Sequence, residues 1–159
     1  MKVSLGAVVL SLVIAGCGAE ADDPSVGVGH PPPSTVRFHT DGGPTDLDVE
    51  LATTREERAA GLMGVEELPA DQGMAFLYGE PTRNGFWMKD TLIPLSIAFV
   101  DQDGRVIAIR DMEPCSADPC PLYGAGEPYV LAVEANLGWF DDAGVEVGTR
   151  AVLHGALDG

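Results

Sequence analysis

The stretch Ile93-Pro94-Leu95-Ser96-Ile97-Ala98-Phe99-Val100, then Asp101-Gln102-Asp103-Gly104, then Val106-Ile107-Ala108-Ile109, decides the fold class. Two apolar runs rich in β-branched residues flank a short polar segment. Asp103-Gly104 tolerates the positive φ that a tight turn between strands requires. The pattern predicts a β-hairpin carrying the longest core signal of the chain. Asp101 and Asp103 also look like the opening of a calcium loop, but the later oxygen ligands and terminal Glu of that motif are missing. The segment reads as a turn.

Working outward, Val36-Arg37-Phe38-His39 and Leu47-Asp48-Val49-Glu50-Leu51 alternate apolar and polar residues, as half-buried strands do, with Gly42-Gly43-Pro44 as the turn between them. Thr54 with Glu57 three residues on forms a capping box that opens a helix running to about Leu62-Met63, with Gly64 as its stop. Arg55 and Arg58 are expected on its outer side, with Ala59, Leu62 and Met63 turned inward. Gly73 to Tyr78, Tyr129 to Ala135 and Thr149 to Leu153 are further strands, and Asn136 is placed to cap a short helical turn at Leu137-Gly138-Trp139-Phe140. Many short strands with one clear helix indicate a compact α+β, β-dominated domain. Its sheet is expected to be mostly antiparallel or barrel-like, with one or two short helices.

The 159 residues carry 25 Asp+Glu against 9 Lys+Arg, a formal charge of −16, and the length suits one domain. A hydrophobic fraction of 45% supports a packed core, so the acidity does not mean disorder. Nucleic acid is a poor partner, because phosphate binding needs a basic face. Anionic bilayer surfaces are disfavoured for the same reason. No stretch approaches the ~20 apolar residues of a membrane-spanning helix.

The N-terminus reads as an export signal. Lys2 precedes the apolar run Val3 to Ala15, which ends in Ile14-Ala15-Gly16-Cys17. A branched aliphatic, two small residues and a cysteine resemble a bacterial lipobox, in which the Cys17 thiol is acylated. Two or more acyl chains, such as palmitate, hold a protein stably on a membrane. Residues 1–16 are therefore expected to be a signal peptide. Residues 17–34, rich in Gly, Pro, Asp and Ser, form a tether, and residues 35–155 form the domain. His30 reads as a solvated tether residue. Cleavage after Ala19-Glu20-Ala21 would instead release a soluble protein, and an uncleaved anchor is the third possibility. The expected partner is thus the membrane, through acyl chains on Cys17, with the domain facing the periplasm or the outside.

Cys115 and Cys120 remain, separated by Ser116-Ala117-Asp118-Pro119. An exported pair this close is expected to form a disulfide, which closes a loop worth roughly 2 kcal/mol in the chain-entropy model. A redox site would ordinarily have two residues between the cysteines, and zinc would need further ligands at matched spacing.

Phe86-Trp87-Met88-Lys89-Asp90-Thr91, followed by Ile93-Pro94-Leu95, is similar to the signature of the family called domain of unknown function 192. Arg58-Ala59-Ala60-Gly61-Leu62-Met63, Gly73-Met74-Ala75-Phe76, Tyr129-Val130-Leu131, Glu134-Ala135-Asn136 and Gly144 to Gly148 fall in the family's order. The resemblance spans roughly residues 36 to 153. It implies one small β-rich domain, frequently exported or lipid-anchored, without an established activity. Two positions depart from the family's pattern: Asp90 stands where Asn is usual, and Gly64-Val65 replaces an aromatic–Arg pair.

Three readings of the signature follow. In the first, Phe86, Trp87 and Met88 fill the core, while Lys89 pairs with Asp90 or Glu134 and fixes a turn. In the second, the domain presents a non-catalytic pocket in which an anionic or carbonyl ligand lies against Trp87 and binds Lys89, with Asn136 adding an amide. In the third, an enzyme uses Lys89 as a desolvated amine with Asp90 or Glu134 as general base. The ligand-binding candidates are thus Trp87, Lys89, Asp90, Glu134 and Asn136. No catalytic residue is assigned, because no nucleophile motif appears. His39 and His154 are isolated. Met63, Met74, Met88 and Met112 are soft donors for copper, yet their apolar neighbours favour core filling. No metal and no cofactor is expected. The protein reads as an envelope lipoprotein presenting a small domain to a small molecule or an envelope protein.

Overall fold

The computed structural model describes residues 34–155, so the export signal, Cys17, His30 and nearly all of the tether lie outside the described residues. Seven strands and two short helices follow in the order β1 (Ser34–Thr40), β2 (Gly43–Ala52), α1 (Arg55–Ala60), β3 (Gln72–Thr82), β4 (Leu95–Val100), β5 (Val106–Met112), β6 (Tyr129–Asn136), α2 (Trp139–Asp142) and β7 (Arg150–His154). They form one sheet in the order β5-β4-β6-β3-β2-β1-β7. The expected α+β, β-dominated domain is what folds. Five of the six strand pairs are antiparallel, and β2 and β3 run parallel. The parallel pair exists because the chain crosses over between them through α1, as parallel neighbours require.

The sheet curls until its edges meet. Arg105 bridges Arg150, and Ala151 N–H donates to Gly104 O at 2.8 Å while Val106 N–H donates to Thr149 O at 2.9 Å. This partial closure shields the ends of two edge strands that would otherwise offer free backbone groups. Inside the curl, all seven strands contribute to one apolar cluster, among them Phe38, Leu47, Val133 and Ala151, and Phe140 of α2 joins them. A second cluster lies on the opposite face of β3 to β6, where Phe76, Ile97, Phe99 and Tyr129 meet Leu62, Phe86 and Met88 from the connecting segments.

Every residue of β4 is buried because both of its faces are covered, which is why the stretch from Leu95 to Val100 reads as a continuous apolar run. The β4–β5 turn forms where the sequence places it. Gly104 takes φ +74°, and Asp101 closes the turn by accepting from the N–H groups of Asp103 and Arg105 at 3.0 and 2.8 Å. Ser96, a polar residue inside this strand, donates to Asp111 Oδ1 at 2.6 Å and accepts from Gly138 N–H at 2.9 Å.

Several local expectations change. The capping box at Thr54 and Glu57 forms, and the two backbone N–H groups that Glu57 receives hold its carboxyl at about 2. The helix, however, ends at Ala60, because Gly61 (φ +48°) breaks it before Gly64. Ala59 is exposed rather than core-facing, while Leu62 is buried. Asn136 caps no helix. Gly138 is the N-cap of α2, without a side-chain bond.

Candidate functional site

A cleft of about 590 Å³ lies over the outer face of the sheet. Its floor comes from alternate residues of two neighbouring strands, Phe76 and Tyr78 of β3 and Glu134 of β6. One wall is α1 with its terminal turn, from Arg55 to Met63, and the other is Asn84 to Trp87 with Thr91 and Leu122. Both stretches that carry the family resemblance, Arg58 to Met63 and the start of the Phe86-Trp87 segment, therefore face the same space.

The second wall is built by pairing outside the main sheet. Phe86 and Tyr123 exchange backbone hydrogen bonds of 2.8 Å, and Lys89 bridges Cys115. Cys115 and Cys120 are joined by a disulfide, which closes the loop that supports this wall. Phe86 seats the segment by standing edge-on to Phe76, with centroids 4.9 Å apart. Trp87 and Leu122 remain 49% and 73% exposed, forming an apolar rim.

Asp90 takes φ +56°, a conformation that only Gly, Asn and Asp adopt readily. Its carbonyl accepts from the N–H of Gly64, itself at φ +75°, at 2.9 Å. The two positions that depart from the family's pattern are thus in direct contact. The bond ties the α1 wall to the signature wall.

Glu134 is 4% exposed, flanked across the sheet by Met74 and Ile97. Among the described residues, no hydrogen bond or ion pair reaches its carboxyl. Burial alone pushes this carboxyl up to about 8, so it is mostly protonated at neutral pH. The Tyr78 ring stands edge-on to that of Tyr129, centroids 5.4 Å apart, and the Tyr129 hydroxyl donates to Asn84 O at 2.7 Å. Burial pushes both phenols above their ordinary range, so they stay neutral.

Arg58 is not on the outer side. Its guanidinium lies 4.8 Å from the Tyr78 ring centroid and donates to the carbonyls of Thr53 and Leu77. Arg55 stands at the mouth with no hydrogen bond or acidic partner among the described residues.

Of the five candidates from the sequence, Trp87 and Glu134 meet in the cleft. Lys89 does not line it; its Nζ pairs with Asp118 Oδ2 at 2.7 Å, which raises the Lys89 pKa. Asp90 serves the turn, and Asn136 donates to the carbonyls of Leu68 and Pro69 at 3.0 and 3.1 Å, steadying the crossover before β3. The sequence does not single out Arg55, Arg58 and Tyr78 as site residues. The signal available for the arginines was their place beside the Gly61-Leu62-Met63 landmark. His39 and His154 are exposed on β1 and β7, and Met88 and Met112 are buried among apolar side chains.

Curled sheet and one-sided cleft define a small β-rich domain with a walled concavity on its outer face. The match of residues 36–153 to the model of the DUF192 family, described as an uncharacterized ACR, places the chain in that family: it belongs to DUF192. Two crystal structures are similar. A proposed transcription regulator from Sinorhizobium meliloti 1021 has 34% identity and a TM-score of 0.71, over 81% of this chain and 98% of that one. A protein of unknown function from Novosphingobium aromaticivorans DSM 12444 has 34% identity and a TM-score of 0.70, over 74% of this chain and 83% of that one. Among the curated proteins, none matches the chain. No helix among the described residues is long and apolar enough to cross a membrane. The disulfide is of the kind that persists in oxidising compartments.

Proposed function

We propose that this chain is an exported bacterial lipoprotein, held to the membrane by acyl chains on Cys17, whose domain binds a small molecule without transforming it. The cleft under α1 is the binding site. The observation that carries this reading is Glu134: a largely buried residue whose carboxyl opens onto the cleft and receives no hydrogen bond or ion pair among the described residues. A carboxyl kept for structure would be hydrogen-bonded within the protein, whereas this one meets the cleft. One kept for a ligand receives its partner when the ligand arrives. Trp87 and Leu122 supply apolar surface at the entrance, and the tether would hold the acidic domain in solution.

The enzymatic alternative pairs Lys89 with Asp90 or Glu134, and Lys89 is engaged by Asp118 outside the cleft. The regulator description of the Sinorhizobium protein is not carried over to this chain, since a formal charge of −16 opposes binding to a phosphate backbone.

Two experiments test the proposal. In a thermal-shift screen of small polar organic molecules on the full chain, Trp87→Ala is expected to weaken stabilising compounds about tenfold, and Lys89→Ala to leave them unchanged. Equal losses in both variants would remove the cleft as the site. For the anchor, Cys17→Ser should abolish acyl labelling and move the protein from the membrane to the soluble fraction; unchanged fractionation would refute it.

A further inference from the structure

The charge of the cleft is opposite in sign to that of the protein. The chain has 25 Asp+Glu for 9 Lys+Arg, yet two of the nine cations, Arg55 and Arg58, line this one cavity. Neither has a carboxylate partner: the ion pairs among the described residues are Arg37–Asp46 and Lys89–Asp118. The carbonyls of Thr53 and Leu77 hold Arg58 in place without cancelling its charge. Glu56 and Glu57 sit beside them on α1 but do not line the cleft, and Glu57 is spent on the capping box. The only carboxyl in the lining is Glu134, and it forms no ion pair with Arg55 or Arg58.

We infer that the ligand of this cleft is a small organic anion with an apolar body. Its acid group takes hydrogen bonds from Arg55 and Arg58 and a proton-bearing contact from Glu134, while its body lies against Trp87 and Leu122. The inference rests on the proposed binding role of the cleft and adds the charge of what is bound. A protonated Glu134 is a hydrogen-bond donor to an anionic oxygen, whereas an ionised one repels it. The titratable groups that share the cleft with Glu134 are Tyr78 of β3, edge-on to Tyr129 of β6, and Arg55 and Arg58 of α1. The Asn84 to Trp87 wall brings no charge. With its carboxyl at about 8, Glu134 is the one of these that changes state near neutrality. Anion affinity should therefore be flat up to about pH 7 and fall about tenfold between pH 7 and pH 9.

Three probes of one shape decide it: benzoate, benzyl alcohol and benzylamine, titrated to about 10 mM into the ¹⁵N-labelled full chain and followed by amide and indole resonances. Benzoate is expected to shift the resonances of Arg58, Trp87, Thr91 and Glu134, and to bind about tenfold better than benzylamine at pH 7. Arg55→Gln, at an exposed position with no bond to lose, should reduce benzoate affinity about tenfold while leaving benzyl alcohol unchanged. Glu134→Gln should abolish the fall between pH 7 and pH 9. If benzylamine or benzyl alcohol binds the cleft best, the anionic assignment is overturned and the binding role stands. If no probe shifts cleft resonances, both fall.

Discussion

Glu134→Gln is expected to make the protein more stable than the wild type at pH 8, by on the order of 4 kcal/mol, and to leave stability nearly unchanged at pH 4.5. The carboxyl is at about 8 in the folded chain, against an ordinary value of 4.5, because the fold desolvates it and supplies no countercharge. Between these values the folded chain keeps a proton that the unfolded chain has released. Stability is therefore fully present below pH 4.5 and is lost progressively as pH rises to about 8. Glutamine keeps the shape and has no proton to lose. Denaturant unfolding of both proteins at pH 4.5, 6 and 8 measures the difference directly, and a constant gap across the three would show that Glu134 is not buried without a partner. A residue that lowers stability at the pH where cells live is better explained by binding than by folding.

Gly73→Ala is expected to destabilise the fold by about 3 kcal/mol or more, because the added methyl has no room. It would collide with the carbonyl oxygen of Glu134 on the neighbouring strand and come within 2.9 Å of Leu47 Cδ2. Neither obstacle yields easily: one is backbone locked into the β3–β6 ladder, the other a core side chain at 0% exposure. To admit the methyl, β6 must retreat at Glu134 itself, so ligand affinity should fall along with stability. Gly79→Ala on the same strand is the control. Nothing lies within 4 Å of its added carbon, and its effect should stay within about 0.5 kcal/mol. Equal midpoints for the two variants in urea would show that β3 and β6 do not approach so closely.

The legible parts of the fold were those encoded by local period. The β4–β5 hairpin, the alternation in β1 and β2 and the capping box all reflect neighbours a few residues apart, and each formed, although β2 begins at Gly43, inside the expected turn, and β5 runs on to Met112. Asn136 misled because its polar amide at a strand end suits a helix cap locally. The crossover brought the carbonyls of Leu68 and Pro69, distant in sequence, within reach first. Arg58 misled in the same way: on an isolated helix it belongs in water, but the cleft wall offers it an aromatic face and two carbonyls. Lys89 and Asp90 stand beside Trp87 in the chain, but an extended segment turns successive side chains apart, and the disulfide loop claims Lys89.

Sequence alone determined the strands, the turn at Asp103-Gly104, the likeness to DUF192 and the excess of acidic residues. It also named Trp87 and Glu134. Only the tertiary structure decided that these two share a cleft with Arg55 and Arg58, and that no described residue hydrogen-bonds or ion-pairs with Glu134. The reason is that a period of two assigns a side chain to one face of a strand and says nothing about what covers that face. Coverage of β6 depends on the order β4-β6-β3 and on the crossover that lays α1 beside it. An acidic sequence thus folds so that a walled cleft is lined by two arginines and a carboxyl whose burial favours its protonated form.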